Sequence, residues 1–300
     1  MTNEPSHSAL KTLAFVHRND EFFAVGDFYP VVSVMSHYDL GNTISPFLLL
    51  DHIGPGLLKP SLKGRGVEPH PHRGFETVTF VFDGELEHQD STGAGGVLYA
   101  GDVQWMTAAS GIIHKEVFSQ DFAQKGGRFE MVQLWVNLPK KHKMDAPRYQ
   151  HLANTDIPVI NLDGGLVRVI AGQYLTQTGE VIQGIASTHS PMTVLDVSLA
   201  AGQSIRFAAQ HLDTTLIYLR RGRLELTDAS EALEPQGLAV MSSHGTDVEI
   251  YAPEPAKFLF LTGKPLQEPL YGRGFFVMNS FAEIVQAQYD LEHDQFIQKI

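Results

Sequence analysis

Two histidine-centred triplets constrain this chain more than any other feature: His70-Pro71-His72 and His114-Lys115-Glu116. Side chains alternate faces along an extended strand, so residues two apart point the same way. Each triplet can therefore aim two metal-ligating groups at one point, provided the chain around it is β. Two such strands facing each other supply three imidazoles and one carboxylate. That set suits a divalent first-row metal, iron(II) first, and leaves coordination positions open for substrate or oxygen. A single His-x-His among 14 histidines is commonplace. A second pair in a similar context is what turns the pattern into a candidate site.

The flanking sequence is β-prone. Val31 to Ser36 and Phe47 to Leu50 are short strand-like runs with Gly, Pro and Asn nearby. Phe75 to Phe82 forms another, closed by Asp83-Gly84, a tight-turn signal that leads into Glu85 to His88. His70, His72, Glu76, Val78, Phe80 and Phe82 share parity, so one unbroken strand would place them on one face. Ser91 to Gly96 reads as a loop. Val103 to Met106, Ile112 to His114 and Met131 to Val136 read as further strands. Pro139 to Pro147 has linker composition, and its basic Lys140-Lys141-His142-Lys143 reads as a solvated loop.

Cysteine is absent, so any metal must sit on His and carboxylate, and disulfides are excluded. The net charge of −12 argues against a nucleic-acid surface, which needs clustered cations. The opening Met1 to His7 is polar without an apolar signal core, and no apolar run approaches a membrane span. The expectation is a soluble cytoplasmic protein.

The second half repeats the grammar of the first. With Gly222 set on Gly84, Thr215 to Leu226 resembles Val78 to His88. On that register Ala208 replaces His70 and Gln210 replaces His72. Val248 to Ala252 carries no His-x-Glu, and His211 lacks a partner two residues away. This reads as a duplicated domain whose second copy has lost the metal. At the C-terminus, Ser280 and Glu283 fit a capping box, and Ile284, Val285, Tyr289 and Leu291 recur at helical spacing.

These motifs together resemble the pirin family of the cupin superfamily. The resemblance is carried by His70 to Val78, Gly101 to Ala108, Gly111 to Glu116, Leu134 to Leu138 and Phe276 to Asn279. It implies an all-β bicupin: two antiparallel β-barrels of jelly-roll type packed face to face, with a C-terminal helix. The domains expected are 1–140, holding the metal, and 148–300, metal-free with the terminal helix. The pirin pattern assigns one divalent metal to His70, His72, His114 and Glu116. Iron(II) is expected, and the set would also accept Mn, Co, Ni, Cu or Zn. The general cupin pattern offers Glu76 as the carboxylate; the longer pirin match favours Glu116 and leaves Glu76 as a supporting acceptor.

Pirin-like proteins include quercetin 2,3-dioxygenases, which open flavonols with O2. The resemblance therefore implies a small aromatic, flavonol-like substrate. His114 and Glu116 would be the catalytic groups, with Glu76 a further proton acceptor. Phe75, Met106, Gln133 and Trp135, with Trp105, would line an apolar slot, each of them equally readable as core. Other pirins are regulators of a transcription factor or metabolic enzyme, which makes a protein partner the rival reading. An inert cupin with adventitious metal is the third. Neither nucleic acid nor membrane is expected as partner, and a monomer is the default.

Overall fold

The computed structural model describes residues 10–297; the polar opening stretch Met1 to His7 lies outside them. The chain divides into two compact units. The first comprises Asn19–Asp156 and the segment from Leu266 onward; the second comprises the stretch up to Arg18 and Ile157–Pro265. This differs from a single cut between 140 and 148. The strand Arg148–Leu152 pairs with Val103–Thr107 and stays with the first unit. The strand Leu13–His17 pairs with Leu238–Met241 and completes the second.

Each unit has a seven-stranded antiparallel sheet. In the first unit the order is Arg148–Leu152, Val103–Thr107, Phe75–Asp83, Gly127–Asn137, Phe47–Leu58, Phe28–Ser36, Phe23–Val25. In the second it is Leu13–His17, Leu238–Met241, Thr214–Arg221, Ala256–Gly263, Met192–Leu199, Gly165–Ala171, Val159–Leu162. The two orders correspond strand for strand, as the internal repeat requires. Facing the large sheet is a smaller one, Gly66–His72, Ile112–Phe118, Glu85–Asp90 and Gly95–Tyr99 in the first unit. Its counterpart in the second unit has three strands, Gln203–Ala208, Asp247–Ala252 and Glu225–Leu226.

The sheets are not closed barrels. They are open and lie face to face, jelly-roll fashion, because the apolar residues of both inner faces pack between them. In the first unit Phe28, Val31, Ile53, Val81 and Met131 of the large sheet meet Leu86, Leu98 and Phe118 of the small one. Gly84 lets the Asp83 hairpin close: its φ is +86°, and a Cβ there would come within 2.8 Å of Phe122 and Phe129.

The C-terminal helix, Phe281–Glu292, starts as its sequence predicts. Ser280 Oγ accepts from the Glu283 amide, and the Glu283 carboxylate accepts from Ser280 Oγ and the Asn279 amide. Ile284 and Ala287 are buried with Phe276, Met278 and Phe296, whereas Val285 and Tyr289 are exposed. The helix is tied to the end of the Gly66–His72 strand. Arg73, itself buried, donates to Asp290 at 2.6 Å and lies over the Phe296 ring.

The basic stretch is not uniformly solvated. Lys143 is buried and donates to the carbonyls of Gly74 and Val277 and to Asn137 Oδ1, at 2.6–2.8 Å. Burial lowers its pKa to about 7. Among the described residues no helix is long and apolar enough to cross a membrane.

Candidate metal centre

Three adjacent strands of the small sheet each present an i, i+2 pair. The Ile112–Phe118 strand lies in the middle, with His114 opposite His70 on one side and opposite Asp90 on the other. Glu116 lies opposite His88. His70 with His72, His114 with Glu116, and His88 with Asp90 therefore converge from three strands. Candidate ligand atoms of His70, His72 and His114 all lie within 4.8 Å of one another. Those of His88, His114 and Glu116 form a second such group.

The imidazoles are prepared for a cation. Neither ring nitrogen of His72 has a hydrogen-bond partner of ordinary geometry, and neither does His114 Nε2. Buried polar nitrogens left this way are costly. Burial holds the pKa of both rings well below the usual range, and the neighbouring histidines push it further down. Both are therefore neutral near pH 7, with lone pairs free. His70 is anchored differently: its Nδ1 lies 2.8 Å from the Glu68 carbonyl, which leaves Nε2 for a ligand role.

A buried chain of hydrogen bonds stands behind His114. Its Nδ1 lies 3.3 Å from His88 Nδ1, and His88 Nε2 lies 3.1 Å from Asp90 Oδ2. One proton order satisfies every atom. Asp90 accepts from His88 Nε2–H, His88 Nδ1 accepts from His114 Nδ1–H, and His114 Nε2 keeps its lone pair. Tyr149 stacks on His88, with rings 4.8 Å apart and nearly parallel. Burial raises the Asp90 pKa, but hydrogen bonds from His88 and Thr92 outweigh it and lower the carboxyl below its usual range. Such an outer partner fixes the tautomer and aim of a ligating histidine.

Glu116 faces a polar row on the large sheet. Gln104, Thr79, Gln133, Asp51 and Ser33 are successive cross-strand neighbours, one from each of five strands. Gln104 Nε2 donates to Glu116 Oε1 at 2.5 Å, and Gln133 Nε2 to Oε2 at 2.8 Å. Thr79 Oγ1 adds a longer bond to Oε1. A carboxylate has about four acceptor positions, so Glu116 can still bind a cation. Asp51 Oδ1 is buried without a partner. Burial pushes the Asp51 pKa up to about 7, although a Ser33 hydrogen bond opposes it. Asp51, His70, Glu116 and Gln133 line one cavity of about 40 Å³, floored by Phe28, Val31, Ile53 and Met131.

The shared parity of His70, His72 and Glu76 does not survive. The chain leaves the small sheet at His72 and enters the large one at Phe75, turning at Gly74, whose φ is +90°. A Cβ on Gly74 would come within 2.0 Å of the Val277 carbonyl oxygen. The turn reverses parity, so Thr79 and Val81 face the interior and Glu76 points the other way. Glu76 is buried, accepts from Thr107 Oγ1 at 2.7 Å, and belongs to none of the candidate metal groups.

The expected aromatic slot is also redistributed. Of Phe75, Met106, Gln133 and Trp135, only Gln133 lines the cavity beside Glu116. Phe75 and Trp135 pack together at 4.3 Å and make ring contacts with His72 at 5.1 and 5.4 Å. Met106 is buried with Ala108, Ile112 and Tyr149, away from that cavity, and Trp105 is fully buried. Phe275, 46% exposed, covers His70 and His72 with rings 5.6 and 5.7 Å away. Sequence reasoning missed His88, Asp90, Asp51 and Phe275. The His88-Gln89-Asp90 spacing was a usable signal for the first two.

Comparison with known proteins agrees with this architecture. The Pirin family profile matches residues 29–136, and that of the Pirin C-terminal cupin domain matches 194–297. A Pseudomonas aeruginosa protein with a provisional quercetin 2,3-dioxygenase name is 47% identical over 96% of this chain and 99% of its own. Human pirin is 36% identical over 84% of this chain and 83% of its own. The crystal structure of a quercetin 2,3-dioxygenase from Acinetobacter baumannii superposes with a TM-score of 0.92 at 44% identity. It covers 96% of this chain and 99% of that one.

Proposed function

From a chain that belongs to the pirin family, we propose a metal-dependent dioxygenase that opens flavonols such as quercetin with O2. One observation supports the reading: the buried neutral rings of His72 and His114 meet His70, and His114 is shared with a second group that contains Glu116. His70, His72, His114 and Glu116 would hold the ion. When bound, a divalent metal such as iron(II) supplies Lewis acidity and one-electron chemistry toward oxygen.

The chain's own residues then have separable tasks. Glu116 partly offsets the charge of the ion and leaves a net positive site, which favours an ionised flavonol hydroxyl. His114 is not the proton acceptor, because His88 takes one of its nitrogens and the ion would take the other. Asp51 Oδ1, unpartnered in the cavity beside Glu116, would take the substrate proton through a water held there rather than by direct contact. Gln133 orients Glu116 and borders the same cavity. The cavity of about 40 Å³ holds a water- or dioxygen-sized molecule, not a flavonol. The flavonol therefore enters where Phe275 covers His70 and His72, against the Phe75–Trp135 wall.

Oxygen uptake by iron-loaded protein with quercetin tests the reading. Uptake that needs both metal and flavonol is expected. Fully metallated protein with no uptake on any flavonol would defeat it and favour the regulatory role.

A further inference from the structure

The second unit contains a cavity of about 550 Å³. That volume lies within the range of small-molecule sites. Its position follows from the duplication. Phe75 precedes the strand position where Thr77 pairs with Trp135, and Trp135 pairs with Leu49. In the second unit the matching pairs are Thr215 with Thr262, and Thr262 with Thr193. Asp213 then takes the place of Phe75, Thr262 that of Trp135, and Thr193 that of Leu49. Gln210 and Ala208 take those of His72 and His70. In the first unit these places are plugged by Phe75 and Trp135 packed with Leu48, Leu49 and Val277. In the second unit Ala208, Gln210, Asp213, Thr193 and Thr262 all line the cavity. Replacing two large rings by Asp and Thr leaves the space open.

The lining specifies the ligand. Leu175, Val181, Pro191 and Met192 form apolar walls. Gln210 and Thr193 supply an amide and a hydroxyl, which both donate and accept. Gln173 donates to Gln183, Gln183 to the Gly172 carbonyl and Thr188 to the Ser190 carbonyl, Thr262 shares a hydrogen bond with Thr215, and each keeps spare acceptor capacity. Asp213 is the ionisable side chain of the lining, and Lys11 and Lys264 lie close enough to offset its charge. Lys11 is itself fixed by the carbonyls of Asp213, Ser242 and Ser243. None of the candidate metal-binding groups found among the described residues lies in this lining.

We propose that this cavity binds an uncharged, hydroxylated small organic molecule, using the place in the second copy that aromatic side chains fill in the first. Mixed donor–acceptor groups match hydroxyls, and the apolar walls take a carbon skeleton. The one lining carboxylate, Asp213, is matched by Lys11, which is fixed beside it and outside the lining, so no unmatched lining charge selects an anion or a cation.

The test is a titration of the ¹⁵N-labelled full chain with three probes of one shape: 4-hydroxybenzyl alcohol, 4-hydroxybenzoate and tyramine. The neutral probe should give saturable shifts at the amides of Ala208, Gln210 and Thr262. Its Kd should be on the order of 1–10 mM, as suits so small a fragment. Ala208→Trp fills the cavity from an exposed strand end, and Thr262→Trp restores the first copy's residue. Each variant whose amide spectrum shows it folded should bind at least about tenfold more weakly. Three results would overturn the proposal. They are no saturable shifts, shifts that persist unchanged in the folded variants, or equal or tighter binding of either charged probe. None depends on the metal centre, so dioxygenase activity can fail while this site stands, and the reverse.

Discussion

Replacing Asp51 by Asn should stabilise the metal-free protein, and increasingly so as pH rises. The Asp51 pKa is raised from 3.8 to about 7. For a carboxyl raised on folding, the contribution to stability is fully present below the unfolded pKa and is lost as pH rises through the folded one. A shift of about 3 units corresponds to about 4 kcal/mol against the native state above pH 7. At pH 5 roughly a third of that is expressed, so the pH-dependent part between pH 5 and 8 is about 2–3 kcal/mol. Asp51 Oδ1 is buried, but the residue as a whole is partly reachable by water. Screening therefore brings the expected difference to about 2 kcal/mol. Asn keeps an oxygen for the Ser33 hydrogen bond and never ionises. Urea unfolding of wild type and Asp51→Asn in EDTA, at pH 5 and pH 8, measures the difference directly. A gap that stays the same at both pH values would refute the reasoning. So would a variant that loses stability relative to wild type as pH rises.

Other outcomes follow from the same geometry. His88→Ala removes the acceptor for His114 Nδ1–H and should lower metal affinity about 10–100-fold without unfolding the chain, as competition titration with a chromophoric chelator would show. Glu76→Gln should keep full metal content, because Glu76 points away from the histidines. Glu116→Gln should lose most of the metal and the quercetin turnover, checked by elemental analysis and oxygen uptake. Asp290→Asn leaves the buried Arg73 without its charged partner and should cost about 3 kcal/mol in chemical denaturation.

The repeat, the strand runs and the capped helix were readable because each rests on local chemistry. Asp83-Gly84 needs the backbone freedom of glycine, and Ser280 with Glu283 completes a cap within four residues. The meeting of His70, His72 and His114 was likewise implied by spacing inside single strands, and Glu116 falls in a second group with His114 and His88. What failed crossed a boundary between strands. Parity carried Glu76 onto the histidine face only while the chain stayed extended, and the turn at Gly74 broke that assumption. Ending a strand at His88 hid the third i, i+2 pair, since Asp90 continues it. Lys143 looked like a loop residue because its carbonyl partners are set by tertiary packing: Gly74 and Val277 lie 69 and 134 residues away along the chain. Phe275 reaches His70 and His72 from beyond residue 266, a contact no local pattern announces.

The metal centre itself is tested most directly by anomalous diffraction from crystals of the iron-loaded protein. The account predicts one peak per chain, bonded to His70, His72, His114 and Glu116 at about 2.0–2.3 Å, by analogy with other His and carboxylate sites. A peak bound by Glu76 with Glu116 turned away would contradict it, as would a second peak at Ala208 and Gln210.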